Sequence, residues 1–157
     1  MRRLVLDASA LVSAACSPGG GAILVVLEAV RLELIQLVVS DEAEAEYRRA
    51  MEYGRVRRYA RTPDLQGFVT EVCATAERVR PAPVKLPLRH AADAVYIGIA
   101  LAGRAPVVLS FNVRHFLPPL NPNEKREKHP RSAQVAGVVV MEPRLYLPEL
   151  RGEVTRE

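Results

Sequence analysis

Apolar runs alternate with amphipathic stretches along this chain, and the alternation predicts strands and helices in turn. Leu4-Val5-Leu6 has no polar face, the pattern of a strand buried on both sides. Ser9 to Cys16 reads as a short helix, broken by Ser17-Pro18-Gly19-Gly20-Gly21. Ala22, Ile23, Val26, Leu27 and Val30 then recur at helical spacing, and Leu34 to Val39 is a second buried strand. A third helix opens at Ser40-Asp41. Leu65, Phe68, Val69, Val72, Ala76 and Val79 mark a further helical stripe, and Pro81, Pro83 and Pro87 an extended connector. Ala94 to Ala102 is apolar all round and so predicts a buried helix, with Gly103 as its stop. Pro106 to Ser110 and Val135 to Met141 complete the strands, and Pro143 to Leu150 a terminal helix. Between them, residues 117–134 lack any period and read as an irregular insertion in a single domain spanning 1–157. Strands alternating with helices argue for an α/β fold around a parallel sheet.

The polar residues that interrupt this pattern carry the chemistry. Asp7 follows the first strand directly and falls at its carboxyl end, the rim where ligands gather in open α/β sheets. It reads either as the first ligand of a divalent-metal site or as the cap of the next helix. The third helix carries Asp41, Glu42, Glu44 and Glu46. Asp41 and Glu44 fit an acidic capping box, and Glu44 stands four residues before Arg48, a favourable surface pair. Glu46 shares the apolar face of Ala43, Tyr47 and Ala50, where an acid with no local cation needs a partner, either a metal or a reach to solvent or an arginine. Asp93 heads the buried helix, a position that the helix dipole also favours. His90, three residues earlier, reads as a surface histidine.

Charge adds a partner class. Of 22 basic residues only Lys85, Lys125 and Lys128 are lysines, and the net charge is +4. Arginine suits bidentate phosphate contacts, although a thermophilic or GC-rich source gives the same bias. Tyr53 to Arg61 interleaves arginines with tyrosines, which suits either a nucleic-acid backbone or a solvated helix face. Cys16 and Cys73 fit no zinc spacing and read as structural thiols. No apolar run reaches the roughly 18 residues of a membrane span, and no secretory signal opens the chain, so a cytoplasmic protein is expected.

Four of these stretches, in order, resemble the PIN-domain nucleases, and within them the toxin-like group allied to the VapC-type ribonucleases. They are Val5 to Ala14, Ser40 to Tyr47, Asp93 to Ala100 and Ser110 to Phe116. The resemblance implies a three-layer α/β/α sandwich with a mainly parallel central sheet, and a Mg²⁺ or Mn²⁺ site on Asp7, Glu46 and Asp93, with Ser9 orienting Asp7 or a metal-bound water and Asn112 completing the catalytic set. It implies a ribonuclease cutting single-stranded RNA internally to leave a 5′-phosphate and a 3′-hydroxyl, the toxin of a pair with a cognate antitoxin protein, and a homodimer. Arg48, Arg55, Arg57, Arg58 and Arg114 are then the candidates for RNA backbone contacts. The fourth block departs from the pattern, because Asn112 and His115 stand where an acid is expected. Asn112 can coordinate weakly, and His115 can bind a transition metal or act on a proton. Ser110 is the hydroxyl residue of that block. The missing acid implies a weakened enzyme or, as the alternative, a non-catalytic module that binds RNA or a partner protein. A phosphatase using Asp7 as nucleophile wants a second acid two residues on, where Ser9 stands.

Overall fold

The computed structural model describes residues 1–17, 21–123 and 129–154. The chain runs β1 (Arg2–Leu6), α1 (Ala8–Cys16), α2 (Ala22–Arg31), β2 (Ile35–Val39), α3 (Asp41–Met51), α4 (Gly54–Tyr59), α5 (Leu65–Ala74) and β3 (Glu77–Arg78). After a 3-10 turn (Ala91–Asp93) come α6 (Ala94–Ala102), β4 (Val107–Leu109), a second 3-10 turn (Val113–Phe116), β5 (Ser132–Val135), β6 (Val138–Met141) and α7 (Pro143–Val154). The fold is a three-layer α/β/α sandwich with a mainly parallel central sheet, as expected.

The sheet order is β3-β2-β1-β4-β6-β5, parallel throughout except for the β5–β6 pair. Strands following β1 are laid down first on one side of it and then on the other. The gap between the carboxyl ends of β1 and β4 is therefore the topological switch point, where such sheets open a crevice. Register sets which residues face each other there: Leu6 pairs with Leu109, so Asp7 and Ser110 emerge side by side. Leu4, Val5, Val108 and Leu109 have no exposed surface, which explains why β1 and β4 read as unbroken apolar runs. The α6 helix lies across β1, β2, β4 and β6. Its Gly98 lets the proline connector press close: a Cβ there would stand 2.3 Å from the Ala82 carbonyl oxygen, and Ala82 N–H donates to the Gly98 carbonyl at 2.9 Å.

Three local expectations are corrected. The stripe from Leu65 to Val79 is not one helix: α5 ends at Ala74, and Glu77-Arg78 becomes an edge strand beside Val38 and Val39. Ion pairs favour the edge, since Arg3 binds Glu77, and Arg78 reaches Asp41 and Glu44, each at 2.7 Å. Those same bonds take Asp41 and Glu44 out of the expected capping box. Ser40 caps α3 instead, its Oγ accepting from Ala43 N–H at 3.1 Å. Thirdly, the stretch read as irregular over 117–134 ends in β5, which turns back on β6 as a hairpin. The strand read as continuous from Val135 is cut at Ala136 (φ 50°) and Gly137 (φ 81°), the paired left-handed residues of a tight hairpin turn. Residues 124–128 of that stretch, with Lys125, Arg126 and Lys128, lie outside the described residues.

Candidate active site

Asp7 sits where β1 gives way to α1. Its N–H donates to the Leu109 carbonyl at 3.1 Å, so the sheet holds it from one side. Its Oδ1 accepts from Ala10 N–H at 2.9 Å, so it caps α1, and from Ser9 Oγ at 2.6 Å. Its Oδ2 accepts from Ser110 Oγ. The serines are tied in turn to the fourth block: Phe111 N–H donates to Ser9 Oγ at 3.0 Å and Asn112 N–H to Ser110 Oγ at 2.8 Å. One carboxylate thus clamps the ends of two strands and the start of a helix.

The cap is real, yet it leaves most of the cost of burying Asp7 unanswered. The side chain is 3% exposed, and no cation pairs with it among the described residues. Burial pushes its pKa up to about 6, against hydrogen bonds from Ser110, Ser9 and Ala10 that pull it down, and the nearby Asp93 adds repulsion. Three accepted bonds also leave one of the roughly four lone-pair positions of a carboxylate open.

Glu46 and Asp93 come from different elements. Glu46 lies at the border of the apolar face of α3, half-buried beside Ala43, Tyr47 and Ala50, which are buried. The expectation that no cation is supplied locally does not hold, because Arg49 one turn on pairs with it at 2.5 Å. Asp93 ends the first 3-10 turn and precedes α6, but its side chain does not cap that helix. Its Oδ2 instead lies 3.1 Å from Nδ1 of both His90 and His115.

Tyr96 was not singled out by the sequence pattern. It is 1% exposed, and its hydroxyl is buried with no hydrogen-bond partner among the described residues. Burial raises its pKa first, and then Tyr47, Asp7, Glu46 and Asp93 each raise it further. The charges of three acids remote in sequence are thus felt at one buried oxygen that hydrogen-bonds to none of them. The available signal was that Tyr96 is the one polar side chain on an otherwise apolar α6, one turn after Asp93 and so on its face. Neighbouring Tyr47 is satisfied, its hydroxyl donating to the Leu6 carbonyl.

The candidate RNA contacts divide. Arg48 is committed to the packing of α3 on α5: it binds Glu44 at 3.4 Å, Gln66 Oε1 at 3.2 Å and Thr70 Oγ1 at 3.1 Å. Arg55, Arg57 and Arg58 stand exposed on α4, with the Arg58 guanidinium 5.6 Å from the Tyr59 ring centre. Arg114 lies in the second 3-10 turn, half-buried, 3.5 Å from His129 Nδ1. Asn112 precedes that turn without its side chain capping it. Cys73 is buried and its thiol pKa is pushed up to about 11, chiefly by that burial, which fits an inert structural role.

Asp7, Glu46 and Asp93 offer oxygen donors of the kind a hard divalent ion takes, although Glu46 is paired with Arg49; the metal-ligating side chains that lie together among the described residues are His90, Asp93 and His115. Among the described residues no helix is long and apolar enough to cross a membrane. The family model described as PIN domain matches residues 3–114. Comparison with curated proteins and with solved structures gives no match.

Proposed function

The chain belongs to the PIN domain family, whose members are typically nucleases that use divalent metals, and on that premise we propose that it is a metal-dependent endoribonuclease acting on single-stranded RNA. The observation that carries this reading is the buried Asp7 at the switch point, its two oxygens held by Ser9 and Ser110 and no cation paired with it among the described residues. Asp7, Glu46 and Asp93 would hold the ion. When bound, it supplies Lewis acidity toward a phosphate oxygen and an attacking water. Ser9 and Ser110 fix both oxygens of Asp7, so its lone pairs arrive oriented. Glu46 exchanges its Arg49 partner for the site. The Tyr96 hydroxyl has a proton to donate into the pocket, and Asn112 takes the place of the fourth acid as a neutral carboxamide that orients water. Water would add its oxygen to phosphorus as the bond to the 3′ oxygen breaks, and the proton the water gives up would end on that oxygen, leaving a 5′-phosphate and a 3′-hydroxyl. Arg55, Arg57, Arg58 and Arg114 supply cations to the RNA backbone, so binding falls steeply with salt. By the same family reading the protein is a cytoplasmic toxin, partnered by an antitoxin protein and assembled as a homodimer.

A second reading rests on a specific observation: Asn112 stands at an acid's place while Glu46 is already paired with Arg49. It makes the chain a PIN module that binds RNA without cutting it. Incubation of the full chain with single-stranded RNA and Mg²⁺ or Mn²⁺ separates the two. Cleavage that stops in EDTA and in Asp7→Asn supports the nuclease. RNA retained but uncut with either metal supports the binder.

A further inference from the structure

We propose that His90, Asp93 and His115 form a binding site for a first-row transition dication, of the Mn²⁺, Co²⁺ or Zn²⁺ class, beside the carboxylate pocket and sharing Asp93 with it. The donor atoms of these three side chains all lie within 4.8 Å of one another. Two neighbouring ligands of an ion bound at about 2.1 Å are separated by roughly 3.0 Å at right angles and roughly 3.4 Å in a tetrahedron. Asp93 Oδ2 stands 3.1 Å from each ring nitrogen, inside that range on both sides, while the set as a whole spans up to 4.8 Å, so the two imidazoles would draw together by a fraction of an ångström to reach one ion.

The arrangement is held by the backbone and does not depend on the side chains finding each other. Asp93 N–H donates to the His90 carbonyl at 3.0 Å, closing the turn that puts those two residues on one side. His90 N–H donates to the His115 carbonyl at 3.0 Å, and Arg89 N–H to the Leu117 carbonyl at 2.7 Å, so two loops remote in sequence run side by side. His115 N–H donates to the Asn112 carbonyl at 2.9 Å, which fixes the second imidazole. The rings end up stacked with centroids 4.8 Å apart. Ligands pre-set by their scaffold lose little freedom on binding.

The donor set determines the metal. Two imidazoles and one carboxylate, with positions open to solvent, suit first-row transition ions and disfavour Mg²⁺ and Ca²⁺, which take oxygen. The side chains are 56%, 18% and 28% exposed in chain order, so water or a substrate oxygen can complete the shell. Both imidazoles use Asp93 Oδ2, and Oδ1 has no hydrogen bond among the described residues. Asp93 can therefore face an ion on each side. That adjacency gives the chain a nitrogen-liganded second position where Asn112 has replaced an acid. The effect on cleavage rests on the nuclease reading, whereas binding of the ion does not.

Co²⁺ titrated into the untagged full chain tests the site, because imidazole ligands give visible absorption that the carboxylate pocket alone lacks the nitrogen donors to match. Expected are binding with a spectrum displaced by Zn²⁺ and Mn²⁺ but not by millimolar Mg²⁺, and a loss of affinity of at least about tenfold in His90→Asn and in His115→Asn. Asp7→Asn should keep the imidazole spectrum. Circular dichroism in EDTA confirms that the variants fold, and His90→Asn alone suffices, since its side chain is the most exposed of the three. Wild-type affinity and spectrum in the folded His90→Asn/His115→Asn protein overturns the proposal, as does a wild-type chain that gives no imidazole spectrum with Co²⁺. Failure of the nuclease reading looks different: Co²⁺ binds through both histidines, yet no RNA is cut with any metal.

Discussion

Glu44 and Asp7 are both carboxylates at the start of a helix beyond a buried strand, and the protein treats them in opposite ways. Glu44 lies between two arginines. Arg78, 2.7 Å away, lowers its pKa, with Arg48 helping. Asp7 is more deeply buried and has hydroxyl and amide donors in place of a cation, and its pKa rises to about 6. The first arrangement closes a charge balance and ties α3 to the sheet edge and, through Arg48, to α5. The second leaves a charge deficit at the switch point of the sheet, beside Asp93 and the orphaned Tyr96 hydroxyl. A buried acid with a raised pKa and no cation partner is a candidate functional group, and it is here that the proposed ion would bind.

Asp7→Asn should break this comparison most completely. Cleavage should fall at least about a hundredfold, beyond what loss of a supporting partner costs. The same change should stabilise the metal-free protein. An acid whose pKa is higher folded than unfolded binds more protons in the folded state between 3.8 and about 6, so wild-type stability falls as pH rises through that window and stays low above it. A shift of this size corresponds to about 3 kcal/mol as an upper figure. Urea unfolding in EDTA at pH 4 and pH 7.5 should show the wild-type slope and its loss in the variant.

Ser110→Ala comes next. It removes a donor to Asp7 and the acceptor for Asn112 N–H at a site with no exposed surface. A cost of about 1–3 kcal/mol is expected, with cleavage down about 10- to 100-fold and little change in RNA affinity by filter binding. Tyr96→Phe should act in two directions. Deleting an unsatisfied buried hydroxyl should raise the melting temperature in EDTA by an amount worth about 1 kcal/mol, while metal-supported cleavage falls about tenfold. If both stay at wild-type values, the hydroxyl plays no part in the site. The smallest effect should be that of Glu44→Ala, about 1 kcal/mol of stability with cleavage unchanged. The contribution of Glu44 has the sign opposite to that of Asp7: it is present at neutral pH and fades as pH drops through the folded pKa, below the ordinary value of 4.5.

The rim position of Asp7 was legible because it depends on local pattern alone. An unbroken apolar run followed at once by helical spacing places an acid at the carboxyl end of a buried strand. Asp93 was legible for a similar reason, as the head of a helix apolar all round. Glu46 was only half legible: its face was right, but Arg49 one turn on supplies the cation. Arg48 was legible as the partner of Glu44 one turn before it, but not its bonds to Gln66 and Thr70, which lie on α5 beyond any local window. The edge strand at Glu77-Arg78 was hidden for a related reason, since ion pairs from Arg3, Asp41 and Glu44 outweigh the helical stripe that precedes it.

By itself the sequence determined the α/β alternation, the buried central strands and the acids at their ends, because solvent transfer and backbone period act residue by residue. Only the tertiary structure decided that the Tyr96 hydroxyl is buried without a hydrogen-bond partner among the described residues, and that His90 and His115 close on Asp93. Those arrangements depend on hydrogen bonds and register between segments that no local pattern connects. Burial, charge and donor geometry at such a meeting point are properties of the assembled layers, and no one of the contributing segments possesses them alone.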